Sequence, residues 1–289
     1  MQYSTIDELL KVAEKNNISI SEVVIQVEVE ESELPREEVV AKMKESLVVM
    51  RDAIEKGRNS RIKSSGGLVG EEALKMAEYS KDKPERLFMA AITDALAVAE
   101  VNAGMGKIVA GPTAGASGIV PAVVVSVGEK LNLSDLDMVK GLFTAAGLGD
   151  VVSHTATLAG AAGGCQAECG VGSAMAAGAA VELMGGSPEM AVNAFALALK
   201  NLLGLVCDPV AGLVEVPCVK RNGFAASHAL TAALMALSGI KSVIPPDEVI
   251  LAMTDVGSQM PSTLRETAKG GLAITPTGRE IKNKLENKE

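Results

Sequence analysis

The chain has 289 residues, 48% hydrophobic but only 2% aromatic, with no Trp, a net charge of −9 and a pI near 5.0. That length can bury a substantial core, and the excess of acid argues against a nucleic-acid partner and against a basic helix lying on a membrane. The mean hydropathy of +0.26 raises the question of a membrane span. The run 118-GIVPAVVVSVG-128 is shorter than the roughly 18–20 residues a span needs, and the apolar stretch 141–186 is interrupted by Asp150, His154, Glu168 and Glu182, so it reads as buried core. Alanine, glycine, valine, leucine and methionine fill that core. Small side chains let helices approach closely, and an all-α, mostly helical protein is expected.

In chain order, Thr5-Ile6-Asp7-Glu8 has the form of a capping box before an amphipathic helix. A second helix starts near Ser19 or Ser21, and a long charged one runs from Pro35 to Lys56. The polar segment 58-RNSRIKSSGGLVGEE-72 is a loop, followed by helices over Glu71–Ser80 and Lys83–Ala103. A second Gly-rich loop is 110-AGPTAGASGIVPA-122. Ser134-Asp135 opens a helix over Leu136–Leu148. Ser187-Pro188-Glu189 gives an N-cap, a Pro at the first helical position and an early acid, with the end near Leu203 and Gly204. Pro246-Asp247-Glu248 opens another helix, and the charged tail 280–289 is expected to fray. Val23–Val29 and Val120–Val127 are the best strand candidates. Residues 1–57 are more charged than the rest and are expected to form a helical segment packed on a domain spanning 58–289.

The opening 1-MQYSTIDELLKVAEKNN-17 carries scattered charges and no apolar block, so no signal peptide is expected and a cytoplasmic location is. Thiols stay reduced there, and four cysteines then point to a metal or to catalysis before disulfides. Two lie in 161-AAGGCQAECG-170 and two in 207-CDPVAGLVEVPC-218, at turns and helix ends where backbone amides can hydrogen-bond sulfur. Residue spacing leaves four readings open: a closed structural zinc site, a closed four-cysteine cluster, a three-cysteine cluster with one open iron, or buried thiols acting as small hydrophobes. Cys-x-x-x-Cys is not the usual zinc knuckle.

The loops 64-SSGGLVG-70 and 112-PTAGASG-118 can present amides and hydroxyls to a carboxylate or phosphate, although neither is followed by the Gly-Lys-Ser/Thr of a Walker motif. Each alone reads as an ordinary turn; beside a thiol set they favour an anionic small-molecule site. Of the two histidines, His154 is the candidate for the site, and helix packing accounts for His228.

The stretches 163-GGCQAECG-170, 204-GLVCDPVAGLVEVPCVKRN-222 and 265-RETAKGGLA-273, with the two loops, resemble the iron–sulfur L-serine dehydratase family, most closely the separate alpha subunit of its two-subunit form, over nearly the whole chain. The resemblance implies a helical catalytic domain over 58–289 and an oxygen-sensitive [4Fe-4S] cluster held by Cys165, Cys207 and Cys218. It implies that Cys169 is a packing neighbour, and that Gly163, Gly164 and Ala167 are small so that backbone can lie against the cluster. It also implies L-serine as substrate, pyruvate and ammonia as products, and a smaller beta subunit as partner. Some single-chain relatives carry a further cysteine near the C-terminus; 276–289 has none, so no cap on the cluster from such a residue is expected. Ser64, Ser65, Gly66, Gly67, Thr113, Ala114, Gly115 and Ser117 are the candidates for holding the substrate carboxylate. His154, Lys63 and Arg265 are the candidate polar groups for proton transfer, with the partner subunit as another source of the base. Related β-eliminations of cysteine or threonine, and a non-enzymatic helical protein with a structural metal, are the competing readings.

Overall fold

A computed structural model describes residues 2–81, 83 and 86–287. Thirteen α-helices occur among them: α1 (Ile6–Asn16), α2 (Ile20–Ser32), α3 (Arg36–Asn59), α4 (Glu72–Ser80), α5 (Arg86–Ala103), α6 (Ile119–Leu131), α7 (Asp135–Thr155), the single turn α8 (Gly160–Gly163), α9 (Val171–Leu183), α10 (Pro188–Asn201), α11 (Cys218–Leu237), α12 (Pro246–Gln259) and α13 (Pro276–Glu286). Among the described residues, β pairing is confined to an isolated bridge between Cys207 and Arg265. The fold is all-α, as the composition implies.

Local chemistry sets the helix starts. Thr5 Oγ1 accepts from the Glu8 amide at 3.1 Å, but Glu8 reaches back to the Ser4 amide rather than to Thr5. Ser134 and Asp137 form the full reciprocal box at the start of α7, and Ser187 caps α10 through the Met190 amide. The Asp247 carboxylate caps α1 from a distance, accepting from the amides of Ile6 and Asp7 at 2.8 and 3.0 Å. An acid placed at one helix start thus ties the first helix to α12.

Both strand candidates are helical: Val23–Val29 falls in α2 and Val120–Val127 in α6. Tertiary burial overrides the β-branched preference, since Ile119–Gly128 is buried at every position against neighbouring helices. The stretch Ala114–Leu131 has the length and hydropathy to cross a membrane, longer than the 118–128 run suggests, but most of it lies inside the bundle. The expected end of α7 at Leu148 is overrun to Thr155, because Gly147 and Gly149 serve close packing: a Cβ on them would meet Val24 at 2.3 Å and Met175 at 2.7 Å. The expected start of α5 at Lys83 borders residues 84 and 85, which lie outside the described set. The tail expected to fray is α13, capped by Thr275 and helical to Glu286; residues 288–289 lie outside the described set.

At the centre is α9. It is buried from Val171 to Val181 and packed by α6, α7, α10 and α11. A helix that is apolar all round belongs in a core. Its Gly and Ala positions permit close approach, since a Cβ at Gly178 would meet Leu148 Cδ1 at 2.3 Å. The apolar core runs from Ile6 and Leu9 through α9 to Met253, so the first 57 residues share it. There, Gly57 of α3 touches α5: an added Cβ would lie 2.5 Å from the Ala97 Cα and carbonyl oxygen. Gly57→Ala should therefore force two helix backbones apart and cost about 2–3 kcal/mol, read as a lowered melting temperature; an unchanged melt would mean that α3 slides freely on α5.

Candidate functional site

Three chain segments deliver four sulfurs to one cavity of about 270 Å³. The first follows α8. Gly164 adopts a φ of +78°, and a Cβ there would meet Met260 at 2.8 Å and the Leu205 carbonyl at 2.9 Å, so only glycine turns the chain here without strain. Cys165 then opens a π-turn over Gln166–Gly170. Its carbonyl accepts from the amides of Glu168 at 3.2 Å and Gly170 at 3.3 Å, which wraps Cys169 back over Cys165. The buried Gln166 fixes this turn by donating to the Met253 carbonyl at 2.9 Å and accepting from the Gly204 amide at 2.8 Å.

Cys207 is held by the isolated bridge: its amide donates to the Leu264 carbonyl at 2.9 Å and its carbonyl accepts from the Glu266 amide at 2.7 Å. Asp208 anchors the same segment to the Leu272 amide and to Arg221, whose guanidinium also donates to the Val206 carbonyl at 2.9 Å. Cys218 is the first residue of α11. Asn222, one turn on, is buried; it donates to the Gly115 and Cys218 carbonyls and accepts from the Gly118 amide, bolting the 113–118 loop to α11.

Thr113, Ala114 and Gly115 form one wall of the cavity, and Cys165, Cys169, Cys207 and Cys218 face into it. Glu168, Glu266, Pro209 and Val214 complete the lining. Glu168 accepts from the Thr113 hydroxyl at 2.9 Å and, more weakly, from the Cys207 thiol at 3.8 Å. Burial pushes its carboxyl above the usual range. The thiols are not equivalent. A hydrogen bond from the Cys169 thiol, helped by the Arg221 charge, lowers Cys165 against the pull of burial. Cys169 is pushed well up by that same partnership and by burial. Burial, then the negative charge of Cys165, raises Cys207 far up and Cys218 to about 12. The bare chain thus eases ionisation at Cys165 and opposes it at the other three, and a cationic group is what would let those ionise.

Cys165, Cys207, Cys218, Thr113, Ala114 and Gly115 come together at the cavity; the other candidates do not line it. Ser117 is fully buried beside that wall, and its hydroxyl has no hydrogen-bond partner. His154 is exposed at the end of α7, its Nδ1 3.0 Å from the Asp150 carbonyl, because α7 runs a further two turns and carries it to the surface. Lys63 is exposed. The backbone of Arg265 flanks Cys207, and its guanidinium donates to the Ala162 carbonyl at 3.2 Å. His228 is engaged with the Ala198 carbonyl at 2.9 Å.

In loop 64–70, an internal carboxylate has the place expected for an external one. Glu215 accepts from the Ser64 hydroxyl at 2.9 Å and from the amides of Gly66 and Leu68. Ser65 turns back to Ala103, and Gly67 supplies a φ of +71° in the same turn. These donors, expected to hold a substrate carboxylate, are instead taken by a carboxylate of the chain itself, three residues before Cys218. Glu168, Glu215, Glu266, Arg221 and Asn222 were the residues missed. Glu168 and Glu215 could have been flagged as the acids lying between the paired cysteines, whereas the others carry no local signal.

Next to this loop, the fully buried Glu100 accepts from the Glu72 amide at 2.6 Å, and its Oε2 has no hydrogen-bond partner. Burial and the neighbouring Glu72 carboxyl raise Glu100 to about 8. Burial opposes ionisation of Glu72 too, but the Glu100 carboxyl, the Gly70 amide, Lys220 and the Glu71 amide together hold it well below the usual range. Between the ordinary carboxyl value of 4.5 and about 8, the folded chain keeps a proton on Glu100 that the unfolded chain releases. Stability must fall as pH rises through that window. Glu100→Gln should flatten the fall, raising the melting temperature at pH 8.5 by about 2–4 °C while leaving pH 5 unchanged; an equal shift at both values would deny the titration.

The class comes from the geometry: an all-helical chain that gathers thiols and carboxylates around one internal cavity. Comparison with known proteins adds the family. The model of the serine dehydratase alpha chain family matches residues 15–273. The probable L-serine dehydratase alpha chain of Bacillus subtilis is 50% identical over 286 residues, covering 98% of this chain and 95% of that one. The L-serine dehydratase alpha chain of Peptoniphilus asaccharolyticus is 42% identical over 282 residues, covering 96% and 97%. The L-serine dehydratase of Streptomyces coelicolor is 40% identical over 278 residues, which are 94% of this chain but 61% of that protein. The chain belongs to the serine dehydratase alpha chain family.

Proposed function

We propose that the chain is the alpha subunit of an L-serine dehydratase, releasing pyruvate and ammonia from L-serine. The observation that carries this reading is the convergence of Cys165, Cys207 and Cys218 on one cavity with Glu168 and the Thr113–Gly115 wall, in a chain half identical to a protein of that name. The donor set fits a cluster. Thiolates are the usual ligands of iron–sulfur groups. The thiols here resist ionising together without a cation. Among the described residues no three His, Cys, Asp or Glu side chains lie close enough together to hold a single bare ion.

Cys165, Cys207 and Cys218 would hold a [4Fe-4S] cluster. When bound, a cluster with one iron open to substrate supplies a Lewis acid for the serine hydroxyl, otherwise a poor leaving group. The chain's own residues do the rest. The Ala114 and Gly115 amides orient the substrate carboxylate, while the Thr113 hydroxyl is engaged by Glu168. Glu168, positioned by Thr113, can take the α-proton within the cavity. The buried helices around α9 keep bulk water away. The aminoacrylate product then tautomerises and hydrolyses without further help.

A partner is part of the proposal. This chain spans nearly all of two relatives named as alpha chains but 61% of a protein named L-serine dehydratase alone. We assign the remaining part to a separate beta subunit, giving a hetero-oligomer. Anaerobic purification followed by iron and acid-labile sulfide analysis tests the cofactor: about four of each per chain is expected, falling in air. Zinc without sulfide, after attempted reconstitution, would replace the cluster by a structural site. Pyruvate formation from L-serine with the partner present, compared with L-threonine and L-cysteine, tests the activity.

A further inference from the structure

Cys169 faces the cavity but has no part in the ligand set proposed above. Its setting gives it another use. The π-turn brings residues 165 and 169 together, since the Cys165 carbonyl accepts from both Glu168 at 3.2 Å and Gly170 at 3.3 Å. The two residues stand four apart, Cys165 at the start of the turn and Cys169 within it. Both sulfurs lie on the wall of the 270 Å³ cavity, which admits a molecule the size of peroxide. The other thiols are held elsewhere. Cys207 is strapped to the 264–266 segment with its sulfur toward Glu168, and Cys218 is fixed at the head of α11.

We propose that Cys165 and Cys169 are an oxidative modification site: in the metal-free chain they close to a disulfide under a peroxide-class oxidant, while Cys207 and Cys218 stay as thiols. The Cys165 sulfur attacks the O–O bond, becoming a sulfenic acid and releasing one water. The Cys169 sulfur then attacks that sulfur and expels a second water. Two thiols and one hydrogen peroxide thus give one disulfide and two waters. The link removes Cys165 from the donor set and blocks metal loading, but a dithiol reverses it. It also shields Cys165 from the sulfinic acid that reductants do not repair. The pairing rests on the turn and not on which metal the cavity takes, so it stands apart from the cluster proposal.

The test uses the full-length chain, purified without oxygen, stripped with a chelator and treated with one equivalent of hydrogen peroxide. Free thiols are alkylated and the unreduced digest is analysed by mass spectrometry. The expected product is the peptide holding both residues lighter by about 2 Da, neither cysteine alkylated, with Cys207 and Cys218 alkylated. Dithiothreitol should return both thiols and the capacity to take up iron. In Cys169→Ser, or in Cys169→Ala if that folds better, excess peroxide should drive Cys165 about 32 Da upward, and dithiothreitol should recover roughly tenfold less free Cys165 than in the parent. A link from Cys165 to Cys207 or Cys218, or the same irreversible loss with and without Cys169, overturns the proposal.

Discussion

Cys207→Ala should leave a folded helical chain that binds no iron–sulfur cluster and turns over L-serine at least about 1,000-fold more slowly, the several kcal/mol expected of a lost Lewis acid. The fold should survive because Cys207 is held by its backbone. The bonds to Leu264 and Glu266 use its amide and carbonyl, and its side chain makes one weak contact with Glu168. Removing a buried sulfur from a cavity wall costs little packing. The measurement is iron and sulfide per chain, set beside the far-UV circular dichroism and the melt. Cys169→Ala is the matched control and should keep most of the iron. Equal loss of iron from both variants would defeat the three-ligand arrangement; full iron in Cys207→Ala would remove Cys207 from it.

Glu215→Ala should be the most destabilising single change near the site. Glu215 is 1% exposed and accepts from the Ser64 hydroxyl and the Gly66 and Leu68 amides. Its loss leaves those donors without a partner in a loop where Gly66 already packs against Leu213. The expected cost is about 3–5 kcal/mol, since bonds to a charged acceptor are the strong ones and orphaned donors pay full desolvation. In scanning calorimetry at one fixed scan rate this corresponds to a fall of about 10 °C. Glu215→Gln should lose less, because its carbonyl oxygen still accepts. A drop of under about 2 °C for the alanine variant would mean that the loop finds other acceptors and that Glu215 is not its anchor.

Much of this was legible beforehand, for local reasons. Helix starts at Thr5, Ser134 and Ser187 depend on side chains three residues apart, so the pattern is written in adjacent letters. The small-residue composition announced close helix packing, and α9 is where it is spent. The cysteine stretches carried the family resemblance, and the family match spans residues 15–273. What failed to show was whatever depends on distance in the chain. Val120–Val127 looks like a strand until neighbouring helices bury every side of it. His154 sits 11 positions before Cys165 in sequence, yet the length of α7 puts it on the surface.

By itself, then, the sequence determined the all-helical class, the helix starts and the residue types able to hold a soft metal, because capping, small-residue packing and thiol chemistry are properties of single residues and near neighbours. Only the tertiary structure decided which donors meet. The 64–70 loop is satisfied by Glu215, some 150 residues away; Thr113 and Glu168 share a hydrogen bond across 55 positions; and Asn222 ties the 113–118 loop to the Cys218 helix. Those pairings are set by how α5, α6, α9 and α11 pack, and the burial of long-range neighbours is not encoded at any one position.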